Sequence, residues 1–198
     1  SITELVFAAG AGARLVAVPR FSDYPAEAAH LPQIGDASSI DAERVLSLKP
    51  DLVVGWKSGN RAPDLARLER LGLKLFIVEP ARLEDLPRVL RALGQLAGTT
   101  EAADRAAREF EQGAAALRAR FAGAAKVRVF YEIWHRPLMT VNGRHMISDV
   151  LRLCGGENVF AGLPSLTPVV SLEAVIARKP AAVLGGGSSV GAQALAAE

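Results

Sequence analysis

The chain has 198 residues, 50% of them hydrophobic and 22% charged, a balance that supports a packed core and lies far from the apolar-poor, charge-rich composition of disordered segments. Lysine and arginine number 23 against 21 acids, a formal charge of +2 with the basic residues scattered, which speaks against nucleic acid as a partner. The single cysteine, Cys154, excludes an intrachain disulfide or a thiolate zinc cluster and reads as a small buried hydrophobe, and no apolar run approaches the roughly 18 residues of a membrane span.

Taken in chain order, Ser1 or Thr3 can cap a helix that runs through Leu5, Val6 and Ala9 to a Gly10-Ala11-Gly12 stop. No basic and apolar leader precedes it, so an exported protein of this sequence would already have lost its signal. Apolar runs with strand character follow at residues 15–18, 51–56, 73–78, 127–133 and 182–184, and helical patterns alternate with them at 42–48, 62–71 and 83–96. Such alternation predicts parallel-sheet α/β units. Residues 99–123 break the rhythm: Ala103, Ala107, Phe110, Ala114, Leu117 and Phe121 recur at steps of three and four, the pattern of one long amphipathic helix that Thr99 or Thr100 can cap. Between two sets of α/β units a helix of that length serves as a rigid connector.

The stretches on either side of this helix are alike. Glu43, Val45, Lys49-Pro50, Val53 and Gly55 align without gaps on Glu173, Val175, Lys179-Pro180, Val183 and Gly185. Each copy reads as a short helix with a glutamate in its first turn, a Lys-Pro turn that stops it, and a buried strand. The predicted architecture is α/β: two Rossmann-like lobes, residues 1–82 and 124–198, joined through a helical segment over 83–123 that includes the long helix, with a ligand cleft between the lobes.

A series of motifs runs in order along the chain: Thr3-Glu4-Leu5 with Phe7-Ala8-Ala9-Gly10, Phe21-Ser22-Asp23-Tyr24-Pro25, Glu43-Arg44-Val45, Leu48-Lys49-Pro50-Asp51-Leu52-Val53, Trp56 with Gly59-Asn60, and Cys154-Gly155-Gly156-Glu157-Asn158-Val159-Phe160. In these residues the chain resembles the helical-backbone, class III substrate-binding proteins that deliver cobalamin, haem and ferric siderophores to ABC importers. The Lys-Pro-Asp-Leu-Val and Gly-Gly-Glu-Asn elements resemble the wider family, whereas Ser-Asp-Tyr-Pro followed by Trp-x-x-Gly-Asn is similar to its cobalamin branch. The resemblance implies a periplasmic, monomeric binding protein without catalytic residues or a catalytic cofactor. It would carry cobalamin or a related corrinoid to a permease dimer and its ATPase subunits. It also implies a further strand before residue 1 and further elements after residue 198, so the chain reads as truncated at both ends and its C-terminal lobe as incomplete.

A corrin is flat and mostly apolar, so its receptor needs rigid aromatic faces. Phe21 and Tyr24 follow the first predicted strand, Trp56 ends the second and Trp134 follows the run at 127–133, all at strand carboxyl ends where an α/β cleft opens. For Phe21 and Trp56 the resemblance implies direct ligand contact. Tyr24 is a candidate against a purely local turn, and Trp134 and Met139 are candidates for the second lobe's face. Ala37 and Thr167 stand where the cobalamin branch has large aromatics; each loss of about 2 kcal/mol of apolar contact implies a wider or weaker site, suited to a modified corrinoid. Glu43 and Glu173, one acid at the same place in each repeat, form a two-point electrostatic handle, and the resemblance implies that they dock on permease arginines. Against that stands the favourable charge either glutamate places at a helix N-terminus.

Other chemistry is less supported. His30, His135 and His145 lack short-range metal-ligand spacing, Asp23 and Glu132 have no accompanying nucleophile, and the glycine run from Gly185 to Ser189 lacks a P-loop lysine and reads as a strand-to-helix turn. The readings left open beside a corrinoid carrier are the same role for a ferric siderophore or haem, a cleft-based metallo-enzyme, and an interaction protein without a small ligand.

Overall fold

Ser1 and Glu4 open the chain with a reciprocal cap: the Ser1 hydroxyl accepts from the Glu4 N–H at 3.3 Å, and the Glu4 carboxylate accepts from the terminal amine at 2.7 Å. This satisfies two donors that a helix start leaves orphaned and begins α1 (Ile2–Ala8). The structure, a computed structural model, describes residues 1–36 and 38–185. Contacts divide the chain into two units, Ser1–Pro80 with Glu84–Glu111, and Ala81–Leu83 with Gln112 onward.

In the first unit a short hairpin, β1 (Gly35–Asp36) and β2 (Ser39–Ile40), precedes α2 (Ala42–Ser47), then β3 (Val53–Trp56), α3 (Ala62–Arg70), β4 (Leu75–Val78), α4 (Leu86–Ala97) and the first half of α5 (Thr100–Phe121). β3 and β4 pair in parallel with Val53 opposite Leu75 and Trp56 opposite Val78, the geometry of a βαβ unit. One core joins Val6 of α1 and its cap residue Ala9 to Val78, to Val89, Leu90 and Leu93 of α4, and to Ala103 and Ala107 of α5. Small residues let α4 and α5 approach closely: a Cβ at Gly94 would lie 2.3 Å from the Ala103 Cβ. A second cluster packs Ala42 and Val45 of α2 against Leu68 of α3.

The second unit holds the rest of α5, β5 (Val127–Glu132), α6 (Met146–Leu153), β6 (Gly156–Asn158), α7 (Leu172–Ala177) and β7 (Ala182–Gly185). Its sheet runs β6-β5-β7, parallel throughout, with Val127 opposite Gly156 and Glu132 opposite Gly185. Phe130 and Phe160 meet edge to face at 5.8 Å in a core with Val159 and Val175. Asn158, from the Gly-Gly-Glu-Asn element, is buried and well paired: its amide donates to the Val141 carbonyl and to Ser148 Oγ, both at 2.8 Å, and its oxygen accepts from the Phe160 N–H at 2.8 Å. Removing that side chain would leave buried polar groups unpaired.

The internal repeat has a shared backbone course. Asp41 and Ser171 cap six-residue helices by accepting from Arg44 and Ala174 N–H; Lys49 and Lys179 then adopt φ of 48° and 46° before proline, and β3 and β7 follow. The two copies lie in separate sheets.

Three expectations are corrected. Residues 15–18 form no strand: Val18 makes one parallel bridge to Gln33, because a 3₁₀ turn at Gly12–Arg14 uses the chain before it and Pro19 has no N–H to extend a ladder. Thr99 does not spend its hydroxyl on capping α5; it donates to the Ala9 carbonyl at 2.7 Å and ties α5 to the end of α1. Cys154 is exposed: it falls at the C-terminal cap of α6, past the last turn of the helix. The mixed α/β class with parallel sheets is as expected, and among the described residues no helix is long and apolar enough to cross a membrane. Ala37 and the glycine run after Gly185 lie outside the described residues.

Candidate ligand-binding site

β3 ends on Trp56, and the residues after it hold that tryptophan from both sides of its backbone. Asn60 Oδ1 accepts from the Trp56 N–H at 2.8 Å while the Asn60 N–H donates to the Trp56 carbonyl at 2.9 Å. Ser58 donates its N–H and its hydroxyl to the two Glu79 carboxylate oxygens at 2.7 and 2.8 Å, fastening the same loop to the end of β4. These bonds give the Trp-x-x-Gly-Asn motif its local reason: the loop is locked before any ligand arrives. The half-buried indole carries a buried Nε1–H with no hydrogen-bond partner among the described residues.

Phe21 is presented differently. Its φ is 66°, a left-handed conformation that costs a residue with a Cβ roughly 1–2 kcal/mol, and it is 81% exposed, so its own ring recovers little of that on folding. Neighbours hold the backbone there: the Arg20 N–H donates to the Gly35 carbonyl at 2.6 Å, and Ser22 Oγ lies 3.1 Å from Thr3 Oγ1. Strain of this kind, held by surrounding contacts, clusters at binding sites. Phe21 and Trp56 line one cavity of about 810 Å³, together with Arg20, Gly59 and Asn60; it continues along β3 past Val54 toward α1 and α4. Tyr24, 69% exposed, does not line that cavity.

In the second unit Trp134 and Met139 are brought together. The Met139 N–H donates to the Trp134 carbonyl at 2.8 Å, and Met139 also bridges to Val169. Trp134 is 62% exposed, its indole N–H donating to the Arg136 carbonyl at 2.9 Å, whereas Met139 is partly buried. Thr167 is also partly buried.

Glu43 and Glu173 are both exposed in the first turns of α2 and α7. A hydrogen bond from Ser171, then one from its own backbone N–H, lowers the Glu173 pKa against a small opposing desolvation. Glu43 borders a second, polar cavity of about 520 Å³ with Arg20, Asp36, Ser38 and Arg67. Among the histidines, His30 is exposed and His135 Nδ1 lies 3.3 Å from a Glu132 oxygen. His145 caps α6, its Nδ1 accepting from the Ile147 N–H at 3.1 Å, and burial lowers its pKa. Among the described residues no three His, Cys, Asp or Glu side chains group as a metal site. Asp23 and Glu132 belong to different units. Arg20 and Asn60 are the residues that reading the sequence for aromatics passes over. Asn60 was visible within its motif, but nothing in the sequence marks Arg20.

Parallel α/β units with an aromatic wall at a strand's carboxyl end define a ligand-binding protein of the α/β class. The chain matches the periplasmic binding protein family over residues 1–198, and it belongs to that family. It is 39% identical over 178 residues to the vitamin B12-binding protein of Vibrio parahaemolyticus, which covers 90% of this chain and 65% of that protein. It is also 39% identical to the vitamin B12-binding protein of Yersinia pestis, over 95% of this chain and 67% of that one. The chain thus spans just under two thirds of the length of the Vibrio relative. Among solved structures, the periplasmic vitamin B12 binding protein of Vibrio cholerae superposes with a TM-score of 0.88 at 34% identity, over 95% of this chain and 74% of that one. A periplasmic heme binding protein from Pseudomonas aeruginosa gives 0.87 at 26% identity, over 100% of this chain and 74% of that one.

Proposed function

We propose that this chain is part of a periplasmic substrate-binding protein that captures a corrinoid and hands it to an ABC importer without chemical turnover. The observation that carries the reading is the pairing of Phe21 and Trp56 on one cavity, the first exposed at a strained φ, the second locked by Asn60. Both features are wasted in a merely packed protein. Each suits a site built in advance to receive a flat apolar face, since ordering costs met during folding are not met again on binding. The 39% identity to vitamin B12-binding proteins supports the same ligand class.

Phe21 and Trp56 are the primary contacts in this reading, with Tyr24, Trp134 and Met139 as further ones. Glu43 and Glu173 are the docking acids, and the partner is a permease dimer with its ATPase subunits, engaged by a monomeric carrier. Their identical placement in the two repeats, exposed in capped first turns, supports this, because a two-fold partner is matched by a repeated charge. Haem is the second reading, favoured by the similarity to the Pseudomonas aeruginosa protein over the whole chain. Calorimetric titration with cyanocobalamin, cobinamide, haem and a ferric siderophore tests the choice. Binding of a corrinoid is expected, and no heat with either corrinoid overturns it.

A further inference from the structure

From the position of one cation whose guanidinium has no hydrogen-bonding partner among the described residues we infer that Arg20 is a specificity-determining residue of the Phe21–Trp56 site, placed to receive an anionic oxygen group, phosphate or carboxylate, at the edge of a flat ligand. This rests on the proposed ligand-binding role of that cavity. Arg20 directly precedes Phe21, is exposed, and borders both the cavity of about 810 Å³ and the polar cavity of about 520 Å³. Its backbone is fixed by the 2.6 Å bond to the Gly35 carbonyl, so its stem has a defined origin.

Its guanidinium makes no hydrogen bond or ion pair with the described residues, in contrast to Arg91, which reaches both Asp104 and Glu111. The nearby carboxylate, Asp36, hydrogen-bonds to Ser38 and not to Arg20: its Oδ1 accepts from the Ser38 N–H at 2.8 Å and from the Ser38 hydroxyl at 2.6 Å, and Arg20 acts on it as a nearby charge, the last of the causes that lower the Asp36 pKa. A planar guanidinium presents a fork of donors that fits two oxygens of a phosphate or carboxylate. Set beside two aromatic faces, it turns a surface that would accept any apolar plate into one that distinguishes plates by an acidic edge. Cobalamin carries such a group as the phosphodiester of its nucleotide loop, and haem carries it as propionates.

The test compares the parent chain with Arg20→Ala and Arg20→Lys on two ligand pairs: cyanocobalamin against cobinamide, which lacks the phosphodiester, and haem against its dimethyl ester, which lacks free carboxylates. Arg20→Ala is expected to weaken the member of the bound pair that carries the anionic oxygen group by about tenfold at low salt and to leave the member that lacks it within about twofold, as a charge-assisted contact would. The loss should shrink in about 1 M salt, where screening is nearly complete, and Arg20→Lys should restore part of it. A loss with cyanocobalamin assigns the phosphodiester; a loss with haem assigns the carboxylate. Equal losses on both members of a pair, or no loss on either, overturns the inference about Arg20. A parent chain that binds none of the four ligands instead sinks the binding role of the cavity.

Discussion

Replacing Phe21 by glycine and, separately, by alanine separates what its backbone costs from what its ring supplies. The residue is 81% exposed, so of a phenylalanine surface of about 200 Å² roughly 160 Å² is open. A flat ligand covering one face removes about half of that, roughly 80 Å², worth about 2 kcal/mol at about 25 cal/mol per Å². Both variants should therefore weaken cyanocobalamin binding by about 30-fold in calorimetry. Their stabilities should differ. Glycine relieves roughly 1–2 kcal/mol of left-handed strain at φ 66° and gives back about 0.5–1 kcal/mol in backbone entropy, a net gain of about 0.5 kcal/mol over the parent. Alanine keeps the strain and should unfold in urea within about 0.5 kcal/mol of the parent. If Phe21→Gly is less stable than Phe21→Ala by about 1 kcal/mol or more, the strain argument fails; unchanged affinity in both variants removes the ring from the site.

Asn60→Ala strips the acceptor from the half-buried Trp56 N–H and should cost about 1–2 kcal/mol in urea unfolding, with Trp56 fluorescence shifted in the folded state, while Asn60→Asp keeps most of both. Reversing Glu43 and Glu173 together to arginine should leave ligand affinity within about twofold and abolish stimulation of the cognate importer's ATPase; undiminished stimulation would reduce the pair to helix-end charges. His145 predicts a pH dependence: burial lowers its folded pKa below the usual value of 6.5, so the unfolded chain takes up its proton first. The neutral-form cap is in place above that value, and stability is lost as pH falls from there toward the folded pKa, since protonated Nδ1 cannot accept from Ile147. Unfolding free energies measured between pH 7.5 and 5 should show this slope (the window follows from the histidine range), and His145→Asn, which keeps a capping acceptor, should flatten it.

Local chemistry was legible from residues alone wherever neighbours in sequence settle the conformation. The Ser1 cap, the three-four spacing that becomes α5, and the paired Lys-Pro turns at φ 48° and 46° with their capped helices all depend on side chains within a few positions of one another. The same holds for the class of fold, because apolar runs alternating with helical patterns leave few arrangements besides parallel α/β units. What tertiary structure decided depends on contacts that sequence spacing does not encode. Thr99 finds Ala9 across 90 residues, Val18 meets Gln33 at a single bridge instead of a strand, and Asn158 finds Val141 and Ser148 inside a core. The site divides in the same way: an aromatic at a strand's end announces Trp56, whereas Phe21 reaches the cavity from a loop with no strand before it, and Arg20 matters because folding leaves it on the same cavity with Asp36 bonded to Ser38. A charge acquires a role from what the fold leaves around it: Arg20 adjoins Phe21 in sequence, but Gly35, Asp36 and Trp56 come to the same cavity from later in the chain.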